Sequence, residues 1–424
     1  MNTVKIKINR LGMIGESDEI CLNQFMIFSG ESGLGKSYLS IICHYIFTVL
    51  LDEKRISSYF VNKGYDFSKL RKDYHGEGIA IRLKKTDFED WLSKDAIDWL
   101  GYMVKNNIEG DIHIKLPDTI PEEIQMTYEE DMVGLANNIE TFINLGLPGL
   151  TYKIKDSNGM NEESPFAYLF RFYLIQQIFE EFTNLNDTFI FPPSRGTVLT
   201  ESVEPTTGMY VEFKKNLQKL VTARSNKINV SEHLAKLVNR VLDGHVSRQD
   251  GQYVYSTNGQ EMPLNAAAAS IRELASIEFL IKNTDISKIA VMIDEPEAHL
   301  HPLKQRLMAD IISCLINGGA HVQVTTHSDY FLRRINELIM RFKLFKRNSD
   351  EYTKFCYELN LEPDLRIDPN IISGYLLKRN GATSIVVKQD MANGIPFASF
   401  HDALDDSIKM KYELEKKLSG DANN

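Results

Sequence analysis

The sequence is poor in the features that mark disulfide-built, nucleic-acid-coating or membrane-spanning proteins. Its four cysteines, Cys21, Cys43, Cys314 and Cys356, lie far apart and form no CxxC pair. That pattern excludes a disulfide framework and a zinc ribbon. Cys43 and Cys314 sit in apolar runs and are expected to be buried thiols. Positive charge is in deficit. With a net charge of −10, no global field draws the chain onto DNA, RNA or an anionic bilayer, so any such contact needs a local basic patch. The longest apolar run, residues 40–51, is too short to cross a membrane and carries His44. The opening MNTVKIKINR has no signal-peptide core. A soluble, cytoplasmic protein without membrane contact is expected. No fixed-period repeat and no low-complexity tract is seen. What remains is ordinary globular composition, 43% hydrophobic and 25% charged. It is enough for a large core, with two or three domains or one domain with insertions.

Residues 30–37 read GESGLGKS and fit G-x-x-x-x-G-K-[ST]. A continuous apolar run, Phe25 to Phe28, precedes them, and a helix-length segment apolar on nearly all faces, Tyr38 to Leu51, follows. Strand, loop and helix in that order are the setting of a phosphate-binding loop. The backbone amides of Gly30, Glu31, Ser32, Gly33, Leu34 and Gly35 are expected to curl around the phosphates of ATP, at the positive end of the helix dipole. Lys36 is expected to reach the β- and γ-phosphates, and the Ser37 hydroxyl to bind Mg²⁺.

A second apolar strand, within residues 290–294, ends in Asp294–Glu295 and continues as PEAHLHP. Carboxylates at the carboxyl end of a parallel strand stand where α/β sheets bind ligands. Asp294 is the expected Mg²⁺ ligand and Glu295 the expected general base for the attacking water. A transition-metal cluster of Asp294, Glu295, Glu297, His299 and His301 is the rival reading, although the spacing fits no common ligand pattern. A third strand, 322–326, leads to His327, placed to contact the γ-phosphate or to serve structure alone.

Elsewhere, residues 78–83, 111–116 and 150–154 read as short strands, and 88–104, 131–145 and 164–182 as helices. A strand at 188–191 is stopped by Pro192 and Pro193. Residues 208–242 are helical and charged, 253–264 form a hairpin turning at Asn258–Gly259, and 269–283 form a helix. A short charged helix closes the chain after Lys409.

GESGLGKS, VMIDEPEAHLHP and VTTHS, in this order and spacing, resemble the Walker A, Walker B with D-loop, and switch histidine of ABC-class ATPases. They are most similar to the RecF/SMC/OLD-like branch of AAA-family ATPases, found in bacterial genome maintenance and phage defence. No TOPRIM nuclease follows. The resemblance implies an α/β fold: a P-loop ABC-type ATPase head with a mixed parallel sheet, an antiparallel β lobe and a helical insertion or lobe. It implies four regions: 1–51 with Walker A, 52–185 as an inserted α+β region, 186–262 as a connecting strand and helical lobe, and 263–420 as the rest of the core. It also implies ATP hydrolysis with Mg²⁺, in a homodimer or higher homo-oligomer formed through the ATP site. The signature helix that meets the partner's γ-phosphate falls within 263–280. Ser270 is its candidate phosphate contact and Arg272 a companion. Ala268 and Ala269 stand where relatives carry Ser and Gly, which points to slow turnover. The same segment also reads as a plain amphipathic core helix.

Ser194–Arg195 resembles an SR pair of this branch. Arg195 is expected either to sense the nucleotide or a neighbouring subunit, or to be a surface arginine. Two basic stretches, Lys214, Lys215, Lys219, Arg224 and Lys227, and Arg333, Arg334, Arg341, Lys343, Lys346 and Arg347, are candidate DNA or partner contacts or simply solvated faces. The function implied is an ATP-dependent switch that controls a separate effector, a nuclease or toxin, in anti-phage defence. A slowly hydrolysing scaffold and a RecF-like repair ATPase on DNA are the alternatives.

Overall fold

In the computed structural model, residues 3–65, 74–135, 138–155, 164–179, 185–201, 204–222, 232–396 and 398–420 are described. Arg224 and Lys227 lie outside them. The chain is organised around a sheet of ten strands among these residues. Its parallel part runs β10 (Asp187–Phe191), β14 (Ile289–Asp294), β15 (His321–Thr326), β4 (Phe25–Gly30) and β16 (Ile372–Asn380). Alternation along these strands buries both faces. Met26, Phe28, Ala290 and Met292 face one core, and Phe25, Ile27, Val291 and Ile293 face the other. This two-sided burial explains why the strands read as unbroken apolar runs.

Helix α1 (Lys36–Leu51) lies over the first face and is buried along most of its length. His44, fully buried, places Nδ1 2.7 Å from Gln323 Oε1 and Nε2 2.5 Å from Thr188 Oγ1. One helix and two strands are thereby joined through one ring. Cys43 is buried as expected, whereas Cys314 is only partly so.

The sheet continues from β16 into β17 (Thr383–Gln389), β2 (Ile14–Ser17), β1 (Lys5–Leu11) and β3 (Ile20–Cys21), where antiparallel pairing dominates. The mixed sheet with an antiparallel lobe is the architecture expected. Residues 52–185 do not stay apart from it. Within them α2 spans Glu53–Asn62, β5 Ile79–Lys84 and α3 Lys85–Val104. Strand β6 (Gly110–Lys115) pairs with β1 over Leu11↔Gly110 to Lys5↔Lys115. Tyr59, Phe88, Trp91 and Phe170 meet ring to ring beneath this region, Phe170 coming from α4 (Ser164–Phe179).

A separate four-stranded sheet runs β5, β7 (Glu123–Leu135), β8 (Asn138–Leu147) and β9 (Leu150–Lys155). The helix expected at 131–145 is therefore a hairpin. Ile143, Leu145 and Leu147 alternate inward on β8. The hairpin's far end exposes Met132 and Val133 to solvent, which breaks the alternation that marks a strand.

The second face is covered by α5 (Gly196–Thr200), α6 (Gly208–Thr222), α7 (Glu232–Leu242), α8 (Ala269–Asn283), α9 (Pro302–Asn317) and α10 (Asp329–Arg347). The hairpin of β12 (Gln252–Thr257) and β13 (Gln260–Pro263) turns at Asn258 and Gly259, both with positive φ, and β11 (His245–Gln249) joins it. Helices α11 (Ser349–Glu358) and α12 (Ala398–Gly420) complete the order.

Candidate functional site

Strands β4, β14 and β15 are adjacent and parallel, so their carboxyl ends open on one edge. The loop after β4 begins at Gly30, whose φ is 129° and whose place a Cβ would contest with the Leu377 carbonyl. Only glycine fits there. Glu31, Ser32 and Gly33 are exposed, while Leu34 turns its side chain into the core and leaves only its backbone for a ligand. Gly35, at φ 96°, precedes α1 and no side chain caps the helix. Its first-turn amides are thus left to an anion.

Lys36 folds back over the loop. Its Nζ donates to Gly30 O at 3.0 Å and to Glu31 O at 2.7 Å, and stands 3.5 Å from His327 Nδ1. Burial pulls its pKa down, against the pull of Glu295 and Asp294. Ser37 Oγ donates to Asp294 Oδ2 at 2.8 Å. Asp294 is buried at the end of β14, and its other oxygen accepts from Thr325 Oγ1. Burial pushes the Asp294 carboxyl up, and the two hydroxyls oppose that. A hydroxyl beside a carboxylate is a hard-oxygen pair of the kind Mg²⁺ takes, so these residues fit the ion.

Glu295 has φ 50° and His299 φ 61°. Both are non-glycine residues in the left-handed region, a conformation concentrated at functional turns. The Glu295 amide donates to Thr325 O and Oγ1, each at 3.2 Å. Its carboxylate lies 3.1 Å from His327 Nε2, and the histidine's hydrogen bond holds it below the ordinary range. Glu297 takes no part in a metal cluster. It is buried, and its Oε1 accepts from Thr326 Oγ1 at 2.5 Å and from the His327 amide at 2.9 Å. His301 caps α9 by accepting from the Leu303 amide. The rival metal residues are thus dispersed among separate structural tasks.

Arg195 is not a surface arginine. It is fully buried, with Nε donating to Glu273 O at 3.0 Å and Nη1 to Pro192 O and Asp294 O at 3.2 Å each. Glu273 Oε2 lies 3.8 Å away, and its Oε1 accepts from the Gly196 amide at 3.1 Å. The guanidinium therefore braces α8 against the end of β14, and this enclosure keeps it from any ligand on the surface. Ser270 and Arg272 lie half-buried in the first turn of α8, whose N-cap Ala268 offers no side-chain bond. The structure brings Lys36, Ser37, Asp294, Glu295 and His327 together. Among the described residues, neither Ser270 nor Arg272 makes a hydrogen bond or ion pair with that group. Thr325, Glu297 and Glu273 were not singled out for these roles in the sequence. The one signal for Thr325 was its position at the end of an apolar strand beside the Asp–Glu pair.

The basic stretches are largely neutralised. Lys214 pairs with Glu204, Lys215 with Glu212 and Lys219 with Asp187. Arg333 pairs with Asp329 and Arg334 with Asp310, while Arg341 is buried against the Glu362 carbonyl. No helix among the described residues is long and apolar enough to cross a membrane.

Residues 170–332 match the model of AAA_15, an AAA ATPase domain. A comparison with curated proteins finds no match. Three solved structures are similar to the chain. One is an SMC head bound to the C-winged helix domain of ScpA, at 11% identity and TM-score 0.40, covering 92% of this chain and 98% of that one. Another is an SMC head domain from Thermotoga maritima, at 10% and 0.31, covering 92% and 100%. The third is an Smc head with an extended coiled coil bound to the C-terminal domain of ScpA, derived from Pyrococcus furiosus, at 10% and 0.36, covering 98% and 100%. The likeness is too remote to carry any residue's role across. Residues 170–332 are thus similar to an AAA ATPase domain, within an α/β chain.

Proposed function

We propose that this chain is an ATP-driven switch in which two copies close around ATP and hydrolysis reopens them. The observation that supports it best is the convergence of Lys36, Ser37, Asp294, Glu295 and His327 on one sheet edge, beside a glycine loop with uncapped helix amides. Without nucleotide these groups satisfy one another: Lys36 rests on carbonyls, Ser37 on Asp294 and Glu295 on His327. Phosphate oxygens would draw Lys36 off Gly30 and Glu31. Ser37 and Asp294 would hold Mg²⁺, which supplies charge neutralisation at the β- and γ-phosphates. Glu295, released toward the reacting water, would accept its proton. His327, sharing contacts with Lys36 and Glu295, would register whether the γ-phosphate is present.

A single chain offers no signature contact at this loop, and Ser270 with Arg272 at the open end of α8 is the natural complement from a second copy. Control of a separate effector, a nuclease or toxin in anti-phage defence, is the finer reading and rests on the family resemblance alone. Ion pairs at Lys214, Lys215, Lys219, Arg333 and Arg334 support this switch over a RecF-like ATPase riding on DNA. A slow scaffold remains the second reading, favoured by Ala268 and Ala269 at the start of α8. The deciding experiment compares phosphate release and ATP-dependent closure, read by crosslinking between Ser270 and the 30–37 loop, for the wild type, Lys36→Ala and Glu295→Gln. The switch requires turnover in the wild type that both variants lose, with the ATP-dependent crosslink formed in all but Lys36→Ala. Turnover no greater in the wild type than in Glu295→Gln would leave the scaffold.

A further inference from the structure

Along helix α12, every residue from 405 to 418 is exposed. A polar helix in that position would be unremarked, but this one shows Met410 at 62% exposure, Leu414 at 54% and Leu418 at 74%. Spaced four apart, the three line one shallow groove with Asp406, as neighbours on a single helical face do. A helix of this length without tertiary support is marginal in water, and burial of such a stripe is the ordinary source of its stability.

The charges around the stripe identify what covers it. Asp405 and Asp406 lie at one end of the exposed segment and Lys416 and Lys417 at the other. Asp406 and Lys417 are separated by about three helical turns, which returns them to the same edge of the stripe. In a parallel pair of identical helices, Asp406 would meet Asp406 and Lys417 would meet Lys417. In an antiparallel pair each Asp406 meets the partner's Lys417, and Met410 lies opposite the partner's Leu414.

We propose that α12 is a self-association element that pairs antiparallel with α12 of a second copy. Met410, Leu414 and Leu418 form its seam, and Asp406 and Lys417 set its direction. The link needs no nucleotide. It is separate from closure around ATP and complements it, because a tether that survives hydrolysis holds two ATPase domains at high effective concentration for the next round.

The test is a charge swap read by sedimentation equilibrium on the nucleotide-free full chain at micromolar concentration. The wild type is expected to dimerise. Asp406→Lys alone and Lys417→Asp alone are each expected to weaken the dimer about 10-fold or more through like-charge contact, and the combined swap to recover most of that loss. Leu414→Asp is expected to abolish the dimer. All three sites are exposed, so folding is checked by an unchanged thermal midpoint. A monomeric wild type, single reversals that leave the mass unchanged, or a double swap that recovers nothing would each overturn the pairing, and a monomer would point to another protein's helix as the occupant. Adding ATP to Leu414→Asp isolates the other interface: a mass increase there supports closure around ATP whatever α12 does.

Discussion

Glu295 and His327 stand 3.1 Å apart, and the other nitrogen of the same imidazole stands 3.5 Å from Lys36 Nζ. Carboxylate, imidazole and ammonium thus form one continuous polar path from the end of β14 to the phosphate loop. A ligand that moves Lys36 alters the partner of His327 and, through it, of Glu295.

Glu295→Gln keeps the shape of this path and removes the proposed general base. Loss of a general base costs roughly 10²–10⁴-fold in rate. The expected result is a fall of that size in kcat for phosphate release with ATP affinity retained, measured by steady-state release beside calorimetric binding.

Thr325→Val tests the support behind the acidic pair. The change is close to isosteric but removes a hydroxyl that donates to Asp294 and accepts from the Glu295 amide. Groups that orient a metal ligand are worth about 10–100-fold in metal affinity or activity. A Mg²⁺ titration of the ATPase should show the half-saturating concentration rise and kcat fall within that range.

Arg195→Met should unfold the protein more readily. The guanidinium and Glu273 are both buried, and removing one partner of such a pair costs about 3–5 kcal/mol because the other charge is left uncompensated. Denaturant titration should show this loss, and Arg195→Met combined with Glu273→Gln should recover part of it. A recovery in stability without recovery in kcat would place the arginine's contact with the Asp294 carbonyl in the catalytic cycle.

Acid should destabilise the chain through two buried histidines. Burial lowers His44 to about 4, and it lowers His321, between the rings of Phe47 and Phe179, to about 4 as well. The unfolded chain takes up these protons near 6.5 and the folded chain does not, so stability is fully present above about 6.5 and declines as pH falls toward 4. Urea midpoints between pH 7 and 5 should drop accordingly. His321→Phe, which also removes an unpartnered buried nitrogen, should make that slope shallower.

The phosphate loop and the Asp–Glu strand were legible because their chemistry forces local sequence. Glycine is obligatory where Gly30 passes the Leu377 carbonyl, and a strand buried on both faces must be apolar up to the charge that ends it. Arg195 was not legible, since an arginine beside Pro–Pro–Ser gives no sign of being enclosed and burial of that charge is rare. Its three carbonyl partners come from positions far apart in the chain. The paired strands within 131–145 read as a helix because Met132 and Val133 both face solvent and carry no alternation. Pairing of β6 with β1 left no local trace, since strand partners are chosen by the whole sheet.

The position of β4 between β15 and β16 also sets an order of events in synthesis. The loop at 30–37 leaves the ribosome early, yet the strands that flank β4 lie at 321–326 and 372–380. At about 5–20 residues per second, the nascent phosphate loop waits on the order of tens of seconds before both neighbours exist. During that wait β4 is an apolar strand with two open edges, the kind of segment that aggregates or recruits chaperones. The 30–37 loop takes its folded place only once residues 321–380 have emerged.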